Sequence, residues 1–277
     1  MIHRSQTPTG TSGSGGDPGR RTEVTESHEQ FSAAWSLYAR SSGVGEVVDM
    51  EGVRVANAGS PWFLMNAALL TGPVFSQAEL VARVGAASAY FGSAHRQWFF
   101  AGSQQWLGDR SPETLSRLGM TKAFTVVGMV TEGLAPPARP LPEVDTRRID
   151  DESGRRALSD LNAVAYDISS DWVRGAVAGE SLWRTPLYGY NASVDGHPVA
   201  TAFAVPLEGV LYVAFVATAT THRRRGLAEL VMRRCLETAT QETGITRTAL
   251  HATADGYPVY VRMGYRPVDE FSVYVPS

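Results

Sequence analysis

An apolar run at residues 210–218, a turn carrying Arg223-Arg224-Arg225-Gly226, and a helical apolar pattern over 227–240 constrain this chain more than any other stretch. A strand that feeds a basic, glycine-containing turn and then a helix presents backbone N–H groups at one place. The first-turn amides lack intrahelical partners and the dipole is positive at that end, so the turn predicts an anion site. Gly226 allows close backbone approach, Ala228 keeps the helix start uncluttered, and the three arginines add charge. Arginine runs are by default solvated faces, and Arg233-Arg234 is expected to be one. Position after a strand and at a helix start separates Arg223, Arg224 and Arg225 from that default. The expected ligand is a pyrophosphate, and with it a nucleotide-like molecule.

With 277 residues, 43% hydrophobic and 19% charged, the chain can bury one large core or two ordinary ones. A formal net charge of −3 gives no general attraction to nucleic acid or to an acidic membrane, so neither is an expected partner. Cys235 is the sole cysteine, which excludes an internal disulfide and a multi-cysteine zinc site; a packed structural thiol is expected there. No apolar run reaches the roughly 18 residues needed to span a bilayer. Residues 1–22 are rich in Ser, Thr, Gly, Pro and Arg and lack a signal-peptide core, which predicts a disordered tail and a cytoplasmic protein.

Periodicity predicts helices over 27–41, with Ser27 and Gln30 as a capping box, over 76–91 from a Ser76 cap, and over 112–118. Strands are expected at 44–50, 53–56, 62–70, 98–101 and 124–131. The proline-dense segment 133–142 is stiff and cannot enter a sheet centre, so 136–142 is the expected linker. Beyond it the pattern restarts with a strand at 144–149, a helix at 152–166, and strands at 187–194 and 199–205 joined by the hairpin turn Asp195-Gly196. A strand at 246–253, a short helix at 257–263 and a strand at 271–275 close the chain. The elements predict an α/β (α+β) fold: a mixed, mostly antiparallel sheet flanked by helices. Arg117-Leu118-Gly119-Met120 before one strand echoes Arg262-Met263-Gly264-Tyr265 before another, so a single fold used twice is expected.

The segment Val216 to Ala228, with its Arg-Arg-Gly-Leu-Ala, resembles the Arg/Gln-x-x-Gly-x-Gly/Ala motif of the GCN5-related N-acetyltransferases. A second stretch, Leu250 to Tyr265 with Tyr260-Val261-Arg262-Met263-Gly264-Tyr265, resembles that family's later Tyr-x-x-x-Gly-Phe/Tyr motif. The two occur in the family's order, with one helix and one strand between them. The resemblance is carried by 187–277, extends to 143, and reaches 23–135 through element order alone. One departure is Thr220, where the family often has proline. The resemblance implies a tail at 1–22, a degenerate domain of the same fold at 23–135, a linker at 136–142 and a catalytic domain at 143–277. Around Ser103-Gln104-Gln105-Trp106 the first half offers no basic glycine turn, which implies one donor site per chain.

By that resemblance the donor substrate is acetyl-CoA or another acyl-CoA, with no metal, because a thioester is already activated. Its pyrophosphate is expected on Arg223, Arg224, Arg225, Gly226, Leu227 and Ala228, and its pantetheine arm along Phe215, Val216, Ala217 and Thr218 as an added strand. Tyr260 is expected to protonate the departing thiolate, while Tyr265 packs in the core. Glu208 is the candidate base, with a solvated turn carboxylate as the equal alternative. His251 is weighed as a group able to titrate near neutrality, but a structural role is expected for it. His222 is expected to flank the phosphates. Asp167 and Asp171 are weighed as attractors of a cationic amine against plain solvation. Trp172, Trp183 and Tyr188 are weighed as pocket walls against core packing. The expected acceptor is a small-molecule amine or a peptide N-terminus, and the chain acts as a monomer or homodimer. Two alternatives stay open: an acyl donor carried on the phosphopantetheine arm of an acyl carrier protein, and a non-catalytic acyl-CoA-binding module.

Overall fold

The computed structural model describes residues 22–277. The expected tail lies outside the described residues except for Thr22, whose hydroxyl accepts from the Thr25 amide and caps the first helix. The first half of the chain runs α1 (Glu23–Ser41), β1 (Glu46–Met50), β2 (Val53–Asn57), β3 (Asn66–Leu70), α2 (Gln77–Ala94) and β4 (Phe99–Ser103). It closes with α3 (Gln104–Leu107), α4 (Ser111–Arg117) and β5 (Met120–Thr131). The second half opens with β6 (Asp145–Arg148), α5 (Glu152–Tyr166), α6 (Ser170–Val177) and α7 (Glu180–Trp183). The strands β7 (Tyr188–Val194), β8 (His197–Leu207) and β9 (Val210–Thr218) follow. Then come α8 (Leu227–Thr243), β10 (Thr248–Ala252), α9 (Tyr257–Arg262) and β11 (Arg266–Pro276).

Ser76 caps α2 as expected, its hydroxyl accepting from the Glu79 amide. The helix expected from Ser27 instead starts at Glu23, because Thr22 supplies the cap and two glutamates sit in the positive first turn. Ser27 is thereby buried inside α1, with its hydroxyl on the His251 ring at 3.2 Å. The strand expected from residue 62 starts only at Asn66, after a 3₁₀ turn over Phe63–Met65. The helices α3, α6 and α7 were not expected; α3 and α7, of four residues each, are too brief for periodicity to reveal.

All eleven strands form one sheet in the order β1-β2-β3-β4-β11-β5-β10-β9-β8-β7-β6. Only β3/β4 and β9/β10 are parallel, so the sheet is mixed and mostly antiparallel with helices on both faces, as the element pattern predicted. The centre of the sheet holds an exchange. The last strand of the chain, β11, lies between β4 and β5, while β5 lies between β11 and β10. Each half therefore inserts its final strand beside the penultimate strand of the other.

Strand alternation sorts the second half into two cores. Ala202, Ala204, Leu211 and Val213 face α8, around Val231, Cys235 and Ala239. Phe203, Val205, Val210 and Tyr212 face the other way, against Leu158 and Ala163 of α5 and Ala34 and Tyr38 of α1. Cys235 is fully buried, with its thiol on the Ala202 carbonyl at 3.3 Å, and burial raises its pKa; it is a packing residue.

The proline segment is held against the second half. Ala135 donates its amide to the Met263 carbonyl at 2.9 Å and Leu141 packs on the α8 core. Arg233 donates to the Ala135 carbonyl at 2.6 Å and pairs with Glu229 at 2.8 Å, its side chain only 8% exposed. The solvated face expected for Arg233-Arg234 is thus correct for Arg234 alone; the strap draws Arg233 inward. Among the described residues no helix is long and apolar enough to cross a membrane.

Candidate functional site

The strand β9 is the scaffold of the site. It pairs with β8 from Val210 onward, but the register slips between Thr201/Ala217 and Phe203/Ala214, so β9 carries one extra residue there. Phe215 takes φ +52° to absorb it, a left-handed conformation that costs a bulky side chain energy unless neighbours hold it. Asn162 of α5 is that neighbour: its side-chain amide donates to the Phe215 carbonyl at 3.1 Å and to the Leu158 carbonyl at 2.9 Å. On its other edge β9 meets β10 at only two pairs, Leu211↔Thr248 and Tyr212↔Ala249. From Val213 to Thr218 that edge has no strand partner, and the sheet opens as a fork.

At the far end of β9 the chain passes a 3₁₀ turn (Thr220–His222) and the arginines before α8 begins. Gly226 stands at φ +82°, a conformation only glycine takes without strain, and no side chain caps the helix. The helices α1, α2 and α5 are all capped by a hydroxyl or carboxylate. The 17-residue α8 thus presents first-turn amides with no side-chain cap at its positive dipole end, and the one acidic residue of that turn, Glu229, is paired with Arg233.

Fork and helix start share a cleft of about 830 Å³. Phe215, Val216, Ala217 and Thr218 line it from β9, and Arg223, Arg224, Gly226, Leu227 and Ala228 from the turn. Arg225 is exposed and stands outside the lining. Tyr260 lines the same cleft from α9, and its ring lies against Gly256, where a Cβ would come within 2.8 Å of it. Burial pushes the Tyr260 phenol well above its usual range, with Tyr166 and Tyr265 adding to the shift, so it stays protonated near neutral pH. Tyr265 packs edge-on to Tyr260 and accepts from the Thr248 hydroxyl at 2.6 Å in the core, as expected.

Sequence reasoning missed the other wall. Arg139, Pro140, Leu141 and Pro142 of the strap line the cleft, together with Tyr166, Thr253, Asp255 and Arg262. Arg139 joins Arg223, Arg224 and Arg262, so four guanidinium-bearing residues surround one cleft. Part of the signal was present in the sequence, an arginine within a stiff proline run; the structure adds Gly264 at φ +95°, where an added Cβ would reach the Ala135 amide at 3.0 Å. That close contact docks the strap.

Other expected positions lie elsewhere. Glu208, the candidate base, is an exposed residue of the β8–β9 turn at φ +48°. Seven residues separate it from Phe215, more than about 20 Å along an extended strand, so a base role at this cleft is corrected. The turn is tied instead to α1 through Gln30, which donates to the Leu207 carbonyl at 2.9 Å. Asp167 caps α5 in the left-handed conformation and is exposed, and Asp171 lies 3.8 Å from Arg174; neither lines the cleft. Trp172 is on the surface, Trp183 packs on Phe203 and donates to the Val177 carbonyl, and Tyr188 sits beneath Arg148. His222 does line the cleft, its ring beside the Thr221 hydroxyl at 2.9 Å.

His251 faces the fork from β10, and both of its ring nitrogens are engaged. Nε2 is 3.2 Å from the Ser27 hydroxyl and Nδ1 is 3.1 Å from the Tyr212 hydroxyl. Burial pushes its pKa down to about 3, so the ring is neutral.

Comparison with known proteins agrees with this geometry. Residues 156–265 match the Acetyltransferase (GNAT) family. No curated protein matches the chain. Among solved structures, a GCN5-related N-acetyltransferase from Kribbella flavida superposes with a TM-score of 0.69 at 21% identity, over 93% of this chain and 96% of that one. A GCN5-related N-acetyltransferase from Sphaerobacter thermophilus gives 0.60 at 12% identity, over 92% and 94%. A tandem GNAT protein from the clavulanic acid biosynthesis pathway gives 0.54 at 14% identity, over 91% and 95%. At these identities the likeness speaks for the fold. With the family match over the forked strand, the anion turn and the Tyr260 helix, the chain carries a GNAT-family acetyltransferase domain and is an acyltransferase.

Proposed function

We propose that the protein moves an acetyl or other acyl group from an acyl-CoA to the amine of a small molecule or peptide N-terminus, by direct attack on the thioester. One observation carries this reading: an uncapped, arginine-flanked helix start and an open strand edge border the same cleft. The donor's phosphates suit the amides of Leu227 and Ala228 and the side chains of Arg223 and Arg224, with Arg225 adding field from outside the lining. The amide-bearing pantetheine arm suits the free β9 edge along Phe215, Val216, Ala217 and Thr218.

In the reaction the amine nitrogen bonds to the thioester carbonyl carbon, the C–S bond breaks, and sulfur takes a proton from the Tyr260 phenol. The proton released by the amine passes through water in the cleft to the Tyr260 phenolate, which restores the phenol. An unpaired amide near Val216 meets the developing oxyanion, an effect worth about 2.7–4 kcal/mol per donor. Holding both reactants in the fork supplies much of the remaining acceleration.

The chain reads as one fold used twice, with 23–135 as the degenerate copy, 136–142 as the strap and 143–277 as the catalytic copy. The parallel pair β3/β4 answers β9/β10, and α2 answers α8. The ion pair Glu79–Arg83 sits in α2 where Glu229–Arg233 sits in α8. Gly119 and Gly264 both take positive φ before the exchanged strands. By this correspondence the turn to compare with Arg223–Gly226 is 71–76, not the Ser103-Gln104-Gln105-Trp106 region. It holds no arginine, and Ser76 caps the helix behind it. The strands β3 and β4 stay paired over three successive residue pairs, so that half has no comparable fork.

Thermal shift and intact-mass measurements with acetyl-CoA, longer acyl-CoAs and free CoA test the donor. We expect stabilisation of the wild type by all three and its loss in Arg224→Glu. No stabilisation by any CoA species sinks the assignment. Turnover with an acylated carrier protein in its place moves the donor to such a carrier.

A further inference from the structure

Beside the cleft lies a second cavity, of about 140 Å³, that the acyl-transfer reading does not use. From the first half Phe31, Trp35, Tyr38, Trp62 and Phe99 line it; from the second half Tyr212, Phe215 and His251 close it. The two cavities share Tyr166, Val213, Ala214, Phe215, His251 and Thr253, so the chamber meets the cleft where β9 and β10 part. We propose that this aromatic chamber is the subsite for an uncharged apolar group of about ring size, carried by one of the two reactants. The proposal rests on the acyl-transfer reading of the cleft and names what reacts there.

Three observations favour that chemistry. The chamber's lining includes no Asp, Glu, Lys or Arg, so a cationic tail such as that of a polyamine would be buried without a counter-charge. His251 supplies none either, being neutral with both nitrogens engaged. Flat aromatic walls with few polar atoms are the usual surroundings of an apolar ligand group. Finally, Tyr38 is 2% exposed and its hydroxyl has no hydrogen-bond partner, although buried hydroxyls nearly always have one. A single polar atom on the bound group would satisfy it. The site is incomplete without the first half, which gives the degenerate copy a task after the loss of its own fork.

The apolar group can belong to the amine or to the acyl chain, and two matched series on the full chain separate these. In the first, acetyl-CoA is the donor and ethylamine, 2-phenylethylamine and spermidine are the acceptors. In the second, ethylamine is the acceptor and acetyl-CoA, isovaleryl-CoA and phenylacetyl-CoA are the donors. Both are repeated on Leu64→Phe, which fills the chamber at a residue outside the cleft, and on Tyr38→Phe. We expect kcat/KM to rise about tenfold or more with the apolar group in one series, and Leu64→Phe to remove that gain while sparing the acetyl-CoA and ethylamine pair. A gain in the amine series places the acceptor in the chamber, and a gain in the thioester series places the acyl chain there. Preference for spermidine, flat rates in both series, or a gain that Leu64→Phe leaves intact overturns the proposal. Calorimetry keeps this apart from the donor assignment. Failure of every CoA thioester to bind defeats the acyl-transfer reading, whereas benzyl alcohol binding that Leu64→Phe abolishes supports the chamber on its own. Absence of benzyl alcohol binding counts against it.

Discussion

Tyr260 and His251 face the same fork, and burial drives their pKa values in opposite directions for one reason: it disfavours whichever form is charged. For Tyr260 the charged form is the phenolate, so the phenol stays protonated, as the proposed acid role requires. Tyr260→Phe is expected to lower kcat by about a hundredfold or more while donor binding in calorimetry is retained. Full turnover of that variant across pH 7 to 9 removes the tyrosine from the mechanism. For His251 the charged form is the imidazolium. Its folded pKa, about 3, lies below the unfolded value near 6.5, so between those limits the unfolded chain binds the extra proton. Stability therefore falls as pH drops through that window, by on the order of 2 kcal/mol between pH 6.5 and 5. Buried His28, shifted the same way, adds to the trend. Denaturant titrations at pH 7 and 5 on wild type and His251→Gln check this, since the variant should show the shallower dependence whatever its absolute stability. An equal slope in the two proteins refutes the assignment.

At the scale of elements, β9 and the start of α8 form one device. The bulge at Phe215 needs the Asn162 amide, and that amide is the only side-chain donor found on the Phe215 carbonyl among the described residues. Replacing Asn162 by Leu should cost about 1 kcal/mol of stability and raise KM for the donor more than it lowers kcat; steady-state kinetics with varied acyl-CoA read that split. Gly226→Ala forces a left-handed conformation on a residue with a Cβ, at roughly 1–2 kcal/mol. It should weaken CoA binding measured by calorimetry, and binding at wild-type strength would show that the helix start is not the phosphate site. These two elements were legible before any coordinates. Val210–Thr218 and the helix from Leu227 follow directly from apolar run, glycine turn and 3.6-residue period. The bulge between them was not, because it arises from pairing with β8 and contact with α5, neither of which has a local signature.

For the whole molecule, the exchange of β5 and β11 makes the two halves interdependent. A fragment of residues 136–277 loses β5 from between β11 and β10 and β4 from the other side of β11, leaving β11 without a strand partner and one edge of β10 exposed. We expect residues 22–135 and 136–277 to aggregate when made separately and to form a stable heterodimer when co-expressed, read by size-exclusion chromatography. Soluble, monomeric 136–277 with acyl-CoA turnover would show the exchange to be dispensable. Ion pairs across the same seam, Arg247 with Glu26 at 2.8 Å and Arg266 with Glu23, tie α1 to the strands of the second half. The repeat Arg117-Leu118-Gly119-Met120 and Arg262-Met263-Gly264-Tyr265 marked the two strands that trade places. Nothing in four residues could say that they do, since pairing partners are chosen by the twisted sheet as a whole.

Composition and periodicity by themselves pointed to most element types, the mixed sheet and the basic glycine turn at Arg223–Gly226, because each depends on neighbours in sequence, while Tyr260 was singled out only by the family resemblance. Tertiary structure alone decided that Glu208 does not line the cleft, that the proline segment is a cleft wall, and that aromatics from both halves meet beside His251. Those are contacts between residues as far apart as 27 and 251, and only burial against a distant partner gives them meaning.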